Sequence, residues 1–306
     1  MPDSHLAIDV AAGAQMIRGH GPVARWRALL PRTQKEIPMS RPQLKKRLGQ
    51  HHLRQGSLCR PLIDFLEPAG SKVVEIGLGG GVLTAELLKA QATVVAWEVD
   101  YEWAFSIRQD PALEDTAVVV GDALAIPWQL LPPGTLVAGN LPYQVSTALI
   151  GRLLPHWQVV PRACFLVQWE VADRLRATPA DGAYGALSIL TAARAEVAVL
   201  SRVPRGAFHP PPKVDGAFVG LTLREPPLPE AEMGAFTDTV RLAFAQRRKM
   251  LRNSLAARWG RPAASQAIET VGLDSKSRAE GVSLEEFLAL HEALRSSTGD
   301  LVSGGG

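Results

Sequence analysis

Asn140, Leu141, Pro142 and Tyr143 follow the apolar run "TLVAG", so a polar amide, a rigid proline and an aromatic ring stand just past what reads as a buried parallel strand. Two acids are placed in the same way: Glu98 ends the run "TVVAWE" and Asp122 follows "AVVVG". Ahead of all three, "VVEIGLGGGVLT" sets a strand, a turn carrying Gly77, Gly79, Gly80 and Gly81, and a helix in sequence. Glycines let a backbone turn tightly and approach a ligand closely. A dinucleotide fingerprint would need a glycine at position 82, where Val82 stands, and Glu75 precedes the first glycine by two residues. That pattern disfavours a pyrophosphate and favours a smaller nucleoside cofactor. Glu98 would accept from ribose hydroxyls and Asp122 from an exocyclic amine. Asn140 would present its amide carbonyl beside them, with Pro142 fixing the turn and Tyr143 offering a flat face.

The elements needed to hold these residues are legible. From Val73 onward, "KVVEIG", "TVVAWEVD", "AVVVGD", "TLVAGN" and "ACFLVQ" read as strands. Helical stretches of about 10 residues, such as Val82–Ala90 and Ser146–Leu154, lie between most of them. The alternation predicts an α/β fold, a doubly wound parallel sheet whose ligands sit at the carboxyl ends of its strands. After residue 185, "EVAVLSRVP" and "GAFVGLTL", joined by "RGAFHPPPKVD", predict an antiparallel addition at the sheet edge. The proline-rich "EPPLPE" at 225–230 marks a boundary, because Pro226, Pro227 and Pro229 cannot continue a helix or an interior strand. Residues 39–225 are therefore one domain, and 231–298 a small all-α domain. In its last helix Ser283 and Glu286 form a capping box flanked by Val282 and Phe287. Residues 1–38 are expected to be a dispensable or disordered extension, or a misassigned start, and 299–306 a disordered tail.

Charge is distributed unevenly, although the net value is only +3. Residues 39–63 carry Arg41, Lys45, Lys46, Arg47, Arg54 and Arg60 with no acid. Residues 241–261 carry Arg241, Arg247, Arg248, Lys249, Arg252, Arg258 and Arg261, again with none. An acidic centre between two basic segments suits a polyanion gripped at the periphery, the alternative being two solvated helix faces. No run approaches a membrane span and Asp3 and Asp9 interrupt any secretory segment, so the expected setting is cytoplasmic. Cys59 and Cys164 are too few for a disulfide framework and read as packing residues. Adjacent His51 and His52 rarely converge on one ion, and no metal site is expected. His209 reads as a solvated loop residue.

Beyond these readings, "KKRLGQHHL", "EIGLGGGVLT", "GNLPYQVST", "YGALSIL", "AFHPPPKVDGAFVGL", "AFAQRRKMLRNSL" and "RAEGVSL" together resemble the ribosomal RNA adenine dimethyltransferase family, small-subunit branch, over residues 41 to 290. The resemblance implies a Rossmann-like class I methyltransferase sheet. It also implies S-adenosylmethionine bound by His51, Leu53, Gly77, Glu98, Asp122 and Asn140, with Gln50 and Gly79 nearby. Tyr143 and Phe208 would hold a flipped adenine while the carbonyls of Asn140 and Leu141 accept from its amino group. Lys45, Lys46, Arg47, Arg247, Arg248, Lys249 and Arg252 would meet RNA phosphates. The implied reaction is dimethylation of two adjacent adenosines near the 3′ end of small-subunit ribosomal RNA, the partner being a small-subunit assembly intermediate and the enzyme a monomer. Two alternatives stay open: the antibiotic-resistance branch acting on large-subunit RNA, and a noncatalytic RNA-binding factor. Leu78, His52 and Gln144 depart from the family's usual Pro, Phe and Asn and bear on the pocket's fine geometry.

Overall fold

Apolar runs that are hydrophobic on both faces must be covered on both faces, and the central strands meet that condition. The structure, a computed structural model, describes residues 15–17, 42, 50–107, 110–246 and 249–303. Five parallel strands form its centre: β3 (Lys72–Ile76), β4 (Thr93–Glu98), β5 (Ala117–Val120), β6 (Leu136–Asn140) and β7 (Arg162–Gln168). With β1 (Gln15–Ile17), β8 (Ala195–Val203) and β10 (Gly216–Leu223), the sheet runs β1-β5-β4-β3-β6-β7-β10-β8 among the described residues. β10 pairs antiparallel with β7, so the edge addition expected from the sequence is present. Gln15–Ile17, within the segment read as an extension, pair antiparallel with β5. The remaining residues of 1–38 lie outside the described residues, as do 304–306.

Strand order reverses between β3 and β6, and in an open α/β sheet that reversal opens a crevice at the carboxyl ends of the strands. The helices beside it are amphipathic at the right spacing. α4 (Ser146–Leu153) buries Ser146, Leu149, Ile150 and Leu153, one face at helical period. α2 (Val82–Lys89) buries Leu83, Thr84 and Leu87. Under the sheet, Leu62 and Leu66 of α1 (Arg60–Leu66) join Leu87, Cys59, Cys164 and Phe218 in one core cluster. Each such side chain contributes about 1.5–3 kcal/mol when fully buried. Burial pushes the Cys59 thiol up to about 12 and raises that of Cys164, in keeping with packing rather than reactivity.

Contacts divide the chain into two compact units, residues 1–169 with 198–223, and residues 170–197 with 224–306. The single break read at 225–230 therefore misses part of the second unit. α6 (Ala186–Ala192) and the turn before it carry Tyr184 and Ile189 into a core with Phe236 of α7 (Glu230–Phe244). Leu251 and Leu255 of α8 (Leu251–Thr270) and Phe287 and Leu290 of α9 (Leu284–Ser303) complete it. The Tyr184 hydroxyl also donates to the Val282 carbonyl at 2.7 Å. The capping box is formed in both directions: the Ser283 N–H donates to the Glu286 carboxylate at 2.7 Å and the Glu286 N–H to Ser283 Oγ at 3.2 Å. Val282 and Phe287 are buried beside it.

Candidate active site

Sequence order places the glycine turn after β3, Glu98 at the end of β4, Asp122 just past β5 and Asn140 at the end of β6; the fold gathers all four at one end of the sheet. The eight residues assigned to the cofactor by resemblance line a single cavity of about 280 Å³, together with Leu141, Pro142 and Tyr143. Gly79 adopts φ +50°, and a Cβ there would come within 3.1 Å of the His52 imidazole, so a side chain would fill the cradle.

Glu98, Asp122, Gln50, His51 and Asn140 on the wall are each held by a partner. Glu98, 5% exposed, accepts from the Asp100 N–H at 2.8 Å and the Gly79 N–H at 3.3 Å. Burial raises its pKa, and those two hydrogen bonds pull the other way. Asp122 accepts from the Leu124 N–H at 2.9 Å, capping a short turn while its carboxyl lines the cavity. Gln50 donates to Asp100 at 3.1 Å, and Asp100 caps α3 (Tyr101–Ser106). His51 donates from Nδ1 to the Pro210 carbonyl at 2.7 Å, the only sense a carbonyl partner allows. Its own carbonyl accepts from Asn140 Nδ2 at 2.7 Å. Because one end of the amide is held this way, Asn140 Oδ1 remains as its free acceptor at the cavity.

Tyr143 is half-buried with its ring 5.7 Å from that of His51. Burial first, and the Asp215 charge second, push its phenol up to about 12, so it stays neutral. Phe208 is placed differently from the expectation. It is 1% exposed, absent from the cavity wall and packed in the core cluster with Leu53, Leu166 and Phe218. β9 (Phe208–His209) pairs antiparallel with β2 (His52–Leu53), Leu53 opposite Phe208, and successive strand side chains point to opposite faces. Phe208 therefore turns inward and His209 outward, Phe208 lying behind the wall residue Leu53 rather than on the cavity surface.

Among the wall residues not assigned to the site from sequence are Glu75 and Val99. Glu75, fully buried, accepts from Thr84 Oγ1 at 2.7 Å, while its Oε1 has no partner among the described residues. Burial foremost, against the Thr84 hydrogen bond, pushes it up to about 8. Val99, 52% exposed, lines the cavity directly after Glu98, and its position next to a strand-ending acid was the available signal. Three acids, Glu75, Glu98 and Asp122, line the cavity, and no lysine or arginine does among the described residues.

Among the basic residues, Lys249 is exposed and Arg252 half-buried, while Lys45, Lys46, Arg47, Arg247 and Arg248 lie outside the described residues. No cluster of metal-ligating side chains occurs among the described residues, and no helix there is long and apolar enough to cross a membrane.

A model of the family described as "Ribosomal RNA adenine dimethylase" matches residues 41–296. The "Ribosomal RNA small subunit methyltransferase A" of Thermosynechococcus vestitus is 39% identical over 259 residues, spanning 82% of this chain and 97% of that protein. The protein of the same name from Bordetella avium is 36% identical over 258 residues, spanning 84% and 97%. In structure, a dimethyladenosine transferase from Plasmodium falciparum matches with TM-score 0.67 at 22% identity, covering 81% of this chain and 98% of that one, a likeness of fold. The 23S rRNA methyltransferase ErmE matches with TM-score 0.60 at 28% identity, covering 79% and 99%.

Proposed function

The chain belongs to the ribosomal RNA adenine dimethylase family, a family of S-adenosylmethionine-dependent adenine dimethyltransferases, and we propose that it dimethylates N6 of two adjacent adenosines near the 3′ end of small-subunit ribosomal RNA. The observation that carries the reading is the Asn140 amide, tethered at Nδ2 so that its carbonyl is the acceptor at the cavity.

The cavity's lining suits the cosubstrate. The acids Glu98 and Asp122, with no lysine or arginine on the wall among the described residues, favour a positively charged nucleoside over a phosphorylated one. Glu98 and Asp122 are the residues to hold its ribose and base, with the glycine turn against its backbone-facing side. Bound there, S-adenosylmethionine supplies a methyl group on a sulfonium, whose departure needs no acid.

The remaining chemistry belongs to the chain. The adenine amino nitrogen is a poor nucleophile because its lone pair is delocalised into the ring. Asn140 Oδ1 and the Leu141 carbonyl accept its hydrogens, favouring a pyramidal nitrogen aimed at the methyl group. Positioning and fixed dipoles supply the acceleration, and no strong base is needed. Tyr143, neutral and flat, stacks on the flipped base, a contact worth ~1–3 kcal/mol that offsets unstacking from the RNA. One hydrogen remains after the first transfer, which permits a second. The RNA partner is a small-subunit assembly intermediate met in the cytoplasm by a monomeric enzyme, with Lys249 and Arg252 among its phosphate contacts.

The test is nucleoside mass spectrometry after incubating the protein and S-adenosylmethionine with separated, unmethylated small and large subunits. Dimethyladenosine in small-subunit RNA is the expected result. Its appearance only in large-subunit RNA would move the enzyme to the resistance branch, and its absence from both would leave a noncatalytic binder.

A further inference from the structure

Outside the cavity wall, past the end of β7, lies a cluster that the reaction above does not use. Arg202 stands with its Cζ 4.8 Å from the centre of the Trp169 ring. Its Nε and Nη2 both donate to Asp215 Oδ2, at 3.0 and 2.9 Å. Asp215 is itself held on two further sides: Oδ1 accepts from the Arg205 N–H at 2.9 Å, and its backbone carbonyl accepts from the Trp169 N–H at 3.0 Å. The guanidinium is thus held by a carboxylate at its edge and over an aromatic ring, yet the Arg202 side chain remains 61% exposed. An arginine whose plane is already fixed loses little freedom when something stacks on its outer face.

Its position relative to the reacting residues follows from the sheet. Asn140 lies opposite Leu166 in the β6–β7 pairing, and Trp169 follows three residues later, on the order of 10 Å further along the strand direction. Asp215 is close enough to Tyr143 for its charge to act on the phenol. Exposed Arg205 and Lys213 flank the cluster, so the surroundings favour a phosphate backbone.

We infer that the outer face of the Arg202 guanidinium, held over Trp169 and by Asp215, is a stacking shelf for the RNA base neighbouring the one that enters the cavity. Guanidinium planes stack on splayed single-stranded bases as aromatic rings do. The inference rests on RNA being the substrate, as proposed above, and it assigns Arg202 a positioning role through the planarity of its head group rather than through its charge.

The experiment measures binding of the full-length protein to a short fluorescent oligoadenylate and to a strand of equal length bearing abasic riboses. The unaltered protein is expected to prefer the base-bearing strand by roughly ten-fold, and both Arg202→Ala and Arg202→Lys to lose most of that preference. On the abasic strand Arg202→Lys should bind like the unaltered protein, since its charge is kept. Full preference retained by Arg202→Lys would make the contact one of charge alone and overturn the inference, as would full preference in Arg202→Ala. Methyl transfer to small subunits by the same unaltered preparation is scored separately. Its absence would count against the proposed function without altering the strand comparison.

Discussion

Asn140 Nδ2 donates to the backbone carbonyl of His51 across 2.7 Å, joining the end of β6 to a residue 89 positions earlier. A side-chain amide has one donor end and one acceptor end, so fixing the nitrogen also fixes where the oxygen points. His51 is in turn held through its ring by the Pro210 carbonyl at 2.7 Å, and Arg54 donates to the Phe208 carbonyl at 3.1 Å. The loop that follows β8 thereby braces the segment that aims the amide. Preorganisation of this kind lowers a barrier because no dipole has to reorient during transfer.

Asn140→Ala should lower the transfer rate by about 100-fold or more, the scale on which loss of one preorganised polar contact is felt, while RNA binding holds. Asn140→Asp tests the tether specifically. It keeps an acceptor but replaces the donor facing the His51 carbonyl with a second oxygen, so transfer should fall as well. Single-turnover methylation beside an RNA-binding titration reads both, and near-normal transfer by Asn140→Ala would refute the acceptor role.

Glu75 gives a pH dependence of stability whose sign follows from its surroundings. Its carboxyl ionises near its ordinary value in the unfolded chain and only at about 8 when folded, chiefly because it is buried. Between those values the folded state holds one proton more than the unfolded state. Stability is complete below the unfolded value and is lost as pH rises through the folded one, by about 1.4 kcal/mol per pH unit across the window. Glu75→Gln keeps an acceptor for Thr84 and removes the titration. In urea unfolding between pH 5 and pH 8, the difference between variant and unaltered protein should grow steadily in favour of the variant. A difference independent of pH would show that Glu75 does not titrate in this range.

Lys249, exposed just ahead of α8 in the segment without acids, should contact a phosphate. Lys249→Glu is expected to weaken binding to all RNA sequences alike and to reduce the slope of log affinity against log salt by roughly 1. An unchanged slope would leave Lys249 a solvated residue.

How far the sequence reading reached depended on the kind of signal. The five parallel strands were legible because strands covered on both faces appear as uninterrupted apolar runs such as that of Val73, Val74 and Ile76, all buried. Glu98, Asp122 and Asn140 were legible as polar groups ending such runs, and the Ser283–Glu286 box because its partners are three residues apart. Segment 170–197 was not assigned to the helical unit because Tyr184 and Ile189 meet Phe236 and Phe287 only through long-range packing, which leaves no local pattern. The resemblance marked the neighbourhood of Phe208 but not its direction. In a strand one residue of register decides between core and exterior, and only the Leu53–Phe208 pairing reveals which way it turns.

The two aromatic residues assigned to the flipped base should therefore separate experimentally. Phe208, fully buried among Leu53, Leu166 and Phe218, leaves a cavity when truncated, so Phe208→Ala should cost about 3–5 kcal/mol of stability. Its effect on methylation should follow the fraction folded. Tyr143 is half-buried and its hydroxyl has no partner among the described residues, so Tyr143→Ala should change stability by about 1 kcal/mol or less. Loss of its stacking should nevertheless raise the KM for RNA by roughly ten-fold. Phe208→Leu decides between the readings, because it restores most of the buried volume but no aromatic face. Recovery of stability and methylation together would make Phe208 a core residue, whereas recovery of stability with methylation still impaired would return it to the base.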